Sequence, residues 1–189
     1  MGNEKKRLKM AMQLKRLCIA DISFRQAGAL AHYIMDAGII ASDLKYGPML
    51  AGMVITYARN FVDSNEFGTL REPFTQFADS TLHEAHLTTM IVRHRVYAHR
   101  DLKAGREFIH DDSDPAQTYE VRIRLHDDGV GCSANALLPD LPSDFLPRFV
   151  ELCELQHTRA KDELKELLRV IRSLQDYPPR EYVVGAEFP

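Results

Sequence analysis

Apolar residues recur at intervals of three and four over most of the chain, the period of a helix buried on one side. Met10, Ala11, Leu14, Leu17 and Cys18 keep that spacing behind a basic start from Lys5 onward. This predicts an amphipathic helix with a solvated basic face; an arm for nucleic acid or membrane is the other reading of those cations. Leu30, Ile34 and Ala37 carry the period through a second stretch, Ile22 to Leu44. Tyr46-Gly47-Pro48 then interrupts. Proline lacks an amide proton and has its φ fixed near the helical value, so Pro48 suits the first residue of a helix over Met49 to about Val62. Ser64 to Phe77, with Gly68 and Pro73, reads as a loop. Thr81-Leu82-His83-Glu84 fits a capping box, in which Thr81 accepts from the third helical amide and Glu84 reaches back. The helix it opens is expected to run to about Lys103, before Gly105. Leu82, Leu87, Met90, Ile91, Val96, Tyr97 and Leu102 lie on most of its sides, which predicts a central, buried helix.

The pattern changes beyond Gly105. Gly105 to Gln117, with Asp111, Asp112 and Asp114, reads as an exposed acidic loop. Tyr119 to His126 alternates apolar and polar residues, the period of a half-buried strand. Asp127-Asp128-Gly129 is hairpin-turn chemistry, and a return strand follows to about Leu137, so the hairpin spans about 118–138. Arg122 and Arg124 share a strand face with Glu120 and His126, read as an exposed face or as a patch that steers RNA. After Pro139 and Pro142 a long helix is expected, capped by Ser143 or opening at Pro147. Leu146, Val150, Cys153, His157, Ala160, Leu164, Leu167, Ile171 and Leu174 form a heptad-like seam suited to packing along another helix. His157 interrupts that seam as a register-setting or water-linked polar residue. The helix should stop before Pro178-Pro179, leaving an irregular tail at 177–189. The expected fold is mainly α: one domain over 1–189, an up-and-down helical bundle with a small β-hairpin inserted before the long C-terminal helix.

Composition narrows the function classes. With 189 residues and 45% hydrophobic content, the chain can bury a core without staples. A net charge of −3 weakens a reading as a non-specific DNA coater. Cys18, Cys132 and Cys153 are odd in number and lack Cys-x-x-Cys spacing, which argues against disulfides and a cysteine-rich zinc site. Met1 to Arg16 lacks the apolar stretch of a signal peptide, Lys6 stands where myristoylation prefers Ser or Thr, and no run approaches the roughly 18 apolar residues of a membrane span. A cytoplasmic protein without membrane attachment is expected. No phosphate-binding glycine loop or nucleophile elbow is present. His83-Glu84-Ala85-His86 is one residue short of the zincin spacing, so no metal site is expected there.

The chemically informative stretch is Ile91-Val92-Arg93-His94-Arg95-Val96-Tyr97-Ala98-His99-Arg100-Asp101. Two imidazoles and three guanidiniums on one helix must be paired with acids or line a cleft, because burying unpaired ions costs several kcal/mol each. The stretch resembles the HEPN (higher eukaryotes and prokaryotes nucleotide-binding) family, whose signature is an arginine, four to six residues and a histidine on a helix of a small bundle. Arg93 and His99 enclose five residues, and His94 takes the polar position after the arginine. Val96-Tyr97-Ala98-His99-Arg100-Asp101 looks like the abortive-infection branch, and Tyr57-Ala58-Arg59-Asn60-Phe61 is similar in flavour to an earlier helix of the family. Some toxin members carry a tyrosine two residues beyond the histidine; here Asp101 stands there.

The resemblance implies a toxin- or defence-like endoribonuclease that needs no metal and no cofactor. His99 would be the general base or acid, and Arg93 would bind the phosphoryl oxygens of the transition state. His94, Arg95 and Arg100 would contact RNA phosphates or support the pair. Six helical steps turn about 600°, so Arg93 and His99 point roughly 120° apart. The family pairs the motifs of two protomers across a symmetric dimer, which implies a homodimer with a composite cleft, RNA as substrate and, for a toxin, an antitoxin partner. Arg95, one turn before His99, is the rival for phosphate contact. His86, two turns before Arg93, is a candidate for the border of the same cleft. Arg59 reads either as a structural anchor or as a cleft residue. The competing readings are a non-catalytic module that binds nucleotides, RNA or a protein, and an interaction bundle with an accidental motif.

Overall fold

In the computed structural model, which describes residues 2–63, 68–94, 120–126, 129–135 and 141–174, the two longest helices form the spine. Helix α1 spans Gly2–Asp36. Its buried residues Met10, Leu14, Leu17, Ala20, Phe24, Ala27, Ala31 and Ile34 are spaced by three and four without a break. The expected division near Ile22 is therefore absent: one uninterrupted seam keeps one helix in register. The helix also stops well before Leu44. Gly38 adopts φ +62°, its amide donates to Met35 O, and the Ile39 amide donates to Ile34 O. This is a Schellman termination, in which a residue free of a Cβ takes the left-handed conformation and caps the last carbonyls.

Helix α2 is Tyr46–Ala58. It starts two residues before the expected Pro48, which lies in its first turn, and stops short of Val62. The Asn60 side chain donates to Tyr57 O at 2.9 Å, and the Asn60 carbonyl accepts from the Leu70 amide at 2.8 Å. Both hydrogen bonds turn the chain out of the helix. Arg59 acts as an anchor: Nε and Nη2 donate to Ser23 Oγ at 2.9 and 2.7 Å, tying the end of α2 to the middle of α1.

Helix α3 is Ser80–Val92. Its cap is Asp79, which accepts from the Thr81 amide and the Thr81 hydroxyl, each at 2.7 Å. The expected capping box is thus not formed. The Thr81 hydroxyl is spent on Asp79, and Glu84 instead faces Arg148, 3.4 Å away on the last helix. These bonds hold the exposed Asp79 carboxyl below its ordinary range, Thr81 being the main cause. Nor is this helix buried all round. Ala85, His86, Thr89 and Val92 are buried, whereas Leu87 and Ile91 are 47% and 45% exposed.

Helix α4 is Phe145–Leu174, and its seam packs lengthwise and antiparallel on α1. A Cβ on Gly28 would stand 3.2 Å from the Cys153 Cβ, which measures how closely the two backbones approach. One turn along, His157 Nδ1 lies 2.6 Å from Asp21 Oδ1. His157 thus sets the register of the pair through a carboxylate on α1, the half-buried polar contact that its place in an apolar seam suggested. The core joins Phe24, Leu50, Met53, Tyr57, Phe149, Leu152 and Ile171. The segment between α2 and α3 is clamped to α4 by Gln156 Nε2, donating to Phe74 O at 2.7 Å, and by Arg159 Nη2, donating to Gln76 O at 2.6 Å. The result is a mainly helical bundle.

The backbone segments β1 (Glu120–His126) and β2 (Gly129–Asn135) run antiparallel with Ile123 opposite Cys132. Their insertion into the bundle as a hairpin belongs to the proposed architecture below. The acidic stretch at 105–117, the end of the third helix at Lys103 and the tail at 177–189 fall outside the described residues.

Candidate active site at the end of the third helix

Helix α3 presents the first part of the arginine–histidine stretch. Helical geometry continues through Arg93, whose backbone amide donates to Thr89 O and Met90 O, and a π-helical turn takes over at Arg93 and His94. The Arg93 side chain is half-buried and that of His94 is exposed. Arg95, His99 and Arg100 lie outside the described residues. Leu87 and Ile91, one turn apart, and then His94 continue along the outer side of α3.

His86 departs from its expected place at a cleft border. It is 7% exposed and faces the core, enclosed by Phe61, Phe77 and Tyr57 at ring-centroid distances of 4.8, 5.1 and 5.9 Å. Its Nδ1 lies 2.9 Å from the Tyr57 hydroxyl, which Gln156 Nε2 approaches at 3.5 Å. With the amide donating to the phenol oxygen, the phenol proton is directed at Nδ1. The imidazole is then neutral and carries its proton on Nε2. Burial is the main cause that lowers the His86 pKa to about 4, and nearby His83 adds to it. Burial also pushes the Tyr57 hydroxyl well above its ordinary value. This relay joins α2, α3 and α4 and is structural, because both ends are removed from solvent. Sequence reasoning missed it: the signal was the pair of aromatics Phe61 and Phe77, which flank the loop but belong to no helical period.

The folded state keeps His86 neutral down to about pH 4, whereas an unfolded chain protonates it near pH 6.5. Stability from this site is therefore complete above pH 6.5 and is lost as pH falls toward 4. Urea midpoints at pH 7, 5.5 and 4.5 should show this loss in the wild type and a flatter profile in His86→Asn, which keeps a partner for Tyr57. An identical acid loss in both proteins would remove His86 as its source.

The short histidine–glutamate run divides its side chains among separate partners. His83 stacks on Phe77 at 5.6 Å, Glu84 faces Arg148 and His86 is bound to Tyr57. No group of three potential ligands could hold a metal ion among the described residues. Burial raises the pKa of both Cys18 and Cys153, which keeps these thiols protonated rather than nucleophilic. No helix among the described residues is long and apolar enough to cross a membrane. Compared with protein-family models, curated proteins and solved structures, the chain matches none.

Proposed function

We propose that the chain is a metal-independent endoribonuclease of the HEPN type, cytoplasmic and toxin- or defence-like, acting as a homodimer. The observation that carries the reading is the stretch from Arg93 to His99, which begins on a packed helix. Its rigid base is the face of α3 formed by Ala85, His86, Thr89 and Val92. Support for the dimer comes from Leu87 and Ile91, apolar side chains left exposed beside the motif. A second copy across a twofold axis would cover them and bring a second motif alongside. In this architecture the β1–β2 hairpin is inserted before α4.

The reaction is balanced by proton transfer alone. His99 takes the proton of a ribose 2′-hydroxyl, and that oxygen forms a bond to the adjacent phosphorus. The bond from phosphorus to the 5′-oxygen breaks, and the leaving oxygen takes up a proton. Negative charge gathers on the non-bridging oxygens, where the Arg93 guanidinium makes two charge-assisted hydrogen bonds. On a regular helix six steps would turn Arg93 and His99 about 120° apart, and in this reading the pair acting on one phosphate is drawn from two protomers. His94, Arg95 and Arg100 hold neighbouring phosphates. A toxin of this kind would have an antitoxin protein as partner.

Product ends test the reading. Incubation of the wild type with single-stranded RNA in EDTA should leave 2′,3′-cyclic phosphate and 5′-hydroxyl ends, and an all-deoxy oligonucleotide should stay intact. Cleavage of the deoxy strand, or 3′-hydroxyl ends, would rule out attack by the 2′-hydroxyl.

A further inference from the structure

The N-terminal half of α1 carries a local charge opposite to that of the whole chain. Lys5, Lys6, Arg7, Lys9, Lys15 and Arg16 fall within twelve positions, and no acid occurs from Lys5 to Ala20, although the net charge is −3. This segment is not a loose arm. Met10, Ala11, Leu14 and Leu17 are buried, so Lys5, Lys9 and Arg16, within about 40° of one another around the helix, are displayed on a fixed ridge about 16 Å long, with Lys6 at its flank. Lys5, Lys6 and Lys9 are exposed. Among the described residues no carboxylate forms an ion pair with them or with Arg71. Like charges gathered at Lys5, Lys6 and Lys9 give this surface an attraction for a polyanion.

Beside the ridge a cavity of about 230 Å³ opens between α1, the segment after Gly68 and α4. Lys9 of α1 and Arg71 of the segment after Gly68 line it from different elements, together with the buried apolar Leu70 and Phe74 and the carboxylates of Glu72 and Glu163. Arg16 Nη1 donates to Thr69 O at 3.4 Å and holds that segment in place. We infer that this ridge and cavity form an RNA-binding site separate from the end of α3: phosphates lie along Lys5, Lys6 and Lys9, with Arg71 at the cavity, and one base enters the cavity. A base brings an apolar face for Leu70 and Phe74 and amino groups that the carboxylates accept from. A lipid surface is the poorer fit, because a membrane-lying helix inserts its apolar face into the lipid and the apolar face of this segment is buried in the bundle. Here Leu8 is the one apolar residue of 5–20 that is exposed to that degree, at 66%. The inference rests on the reading above for the identity of the strand, and not on its cleavage.

The test measures binding of a labelled, uncleavable 2′-O-methyl RNA by anisotropy, comparing the wild type with Lys5→Glu/Lys6→Glu/Lys9→Glu and with the corresponding glutamine variant. Neutralising three phosphate contacts on a single strand should lower the slope of log affinity against log salt by about 2. The dissociation constant should rise at least tenfold at about 0.1 M salt, with the glutamine variant intermediate and the melting temperature of both no lower than that of the wild type. In cleavage assays KM should rise while kcat at saturating RNA is kept. Unchanged affinity and KM in a wild type that cleaves would overturn the site and leave the nuclease reading standing. Charge-sensitive binding without any cleavage would do the reverse. Equal competition by polyglutamate, or tighter binding to phosphatidylserine vesicles than to RNA, would also overturn it.

Discussion

His99→Ala is expected to lower RNA cleavage by about 10²–10⁴-fold, the usual contribution of a positioned proton-transfer group. The loss should fall on kcat, because removing the imidazole leaves phosphate binding in place. Arg93→Ala should lose about 10²–10³-fold, as expected for a donor aimed at transition-state charge. Arg93→Lys should remain impaired, since a lysine keeps the charge and loses the two-pronged geometry. The half-buried Arg93 side chain requires a fold control, for which unchanged helical content and melting temperature suffice. Rates within threefold of the wild type in folded His99→Ala would dismiss this histidine from the chemistry.

Phe149→Ala is expected to cost about 3–5 kcal/mol, the usual range for deleting a buried phenyl ring. Phe149 is fully buried, packs edge-on against Tyr57 at 5.4 Å and lies 5.8 Å from Phe145. Its removal leaves a cavity at the junction of α2 and α4, next to the Gln156–Tyr57–His86 relay. Polar groups beside a new void lose packing as well as area, so little relaxation is available. Against a total stability of about 5–15 kcal/mol, this lowers the melting temperature by roughly 6–20 °C for a chain of this size. A shift below about 3 °C would show that the junction is not the centre of the core.

The parts of the fold that could be read from the chain were those in which one apolar period runs unbroken. The seam from Leu146 to Ile171 on α4 is such a case, and His157 stood out within it because a polar residue in a buried row needs a partner. That partner, Asp21, is more than a hundred residues away and could not be deduced from spacing. The seam of α1 was visible in pieces; only packing along α4 shows that Ala20, Phe24 and Ala27 join them. Helix ends were the weak point. Asp79 and Thr81 both offer an oxygen to the first turn of α3, and the choice depends on chain direction before the helix. Helix α3 misled for another reason: a wheel of apolar residues cannot tell those that meet the core from those, such as Leu87 and Ile91, that face outward. His86 was a candidate for the border of the cleft because it lies two turns before Arg93 on nearly the same face. Its aromatic surroundings come from α2 and the loop before α3, and they make it a neutral structural base.

In the proposed nuclease Arg93 and His99 act together from two copies of the chain. Mixing Arg93→Ala and His99→Ala protomers, after reversible dissociation, tests this most directly, with RNA cleavage in EDTA as the readout. Each variant alone should keep at most about 1% of wild-type activity. Half of the randomly formed dimers pair the two variants and hold one intact site of two, so the mixture should recover about a quarter of wild-type activity. Equal activity in the wild type and both single variants, or an active wild type whose variants never complement, would contradict the account.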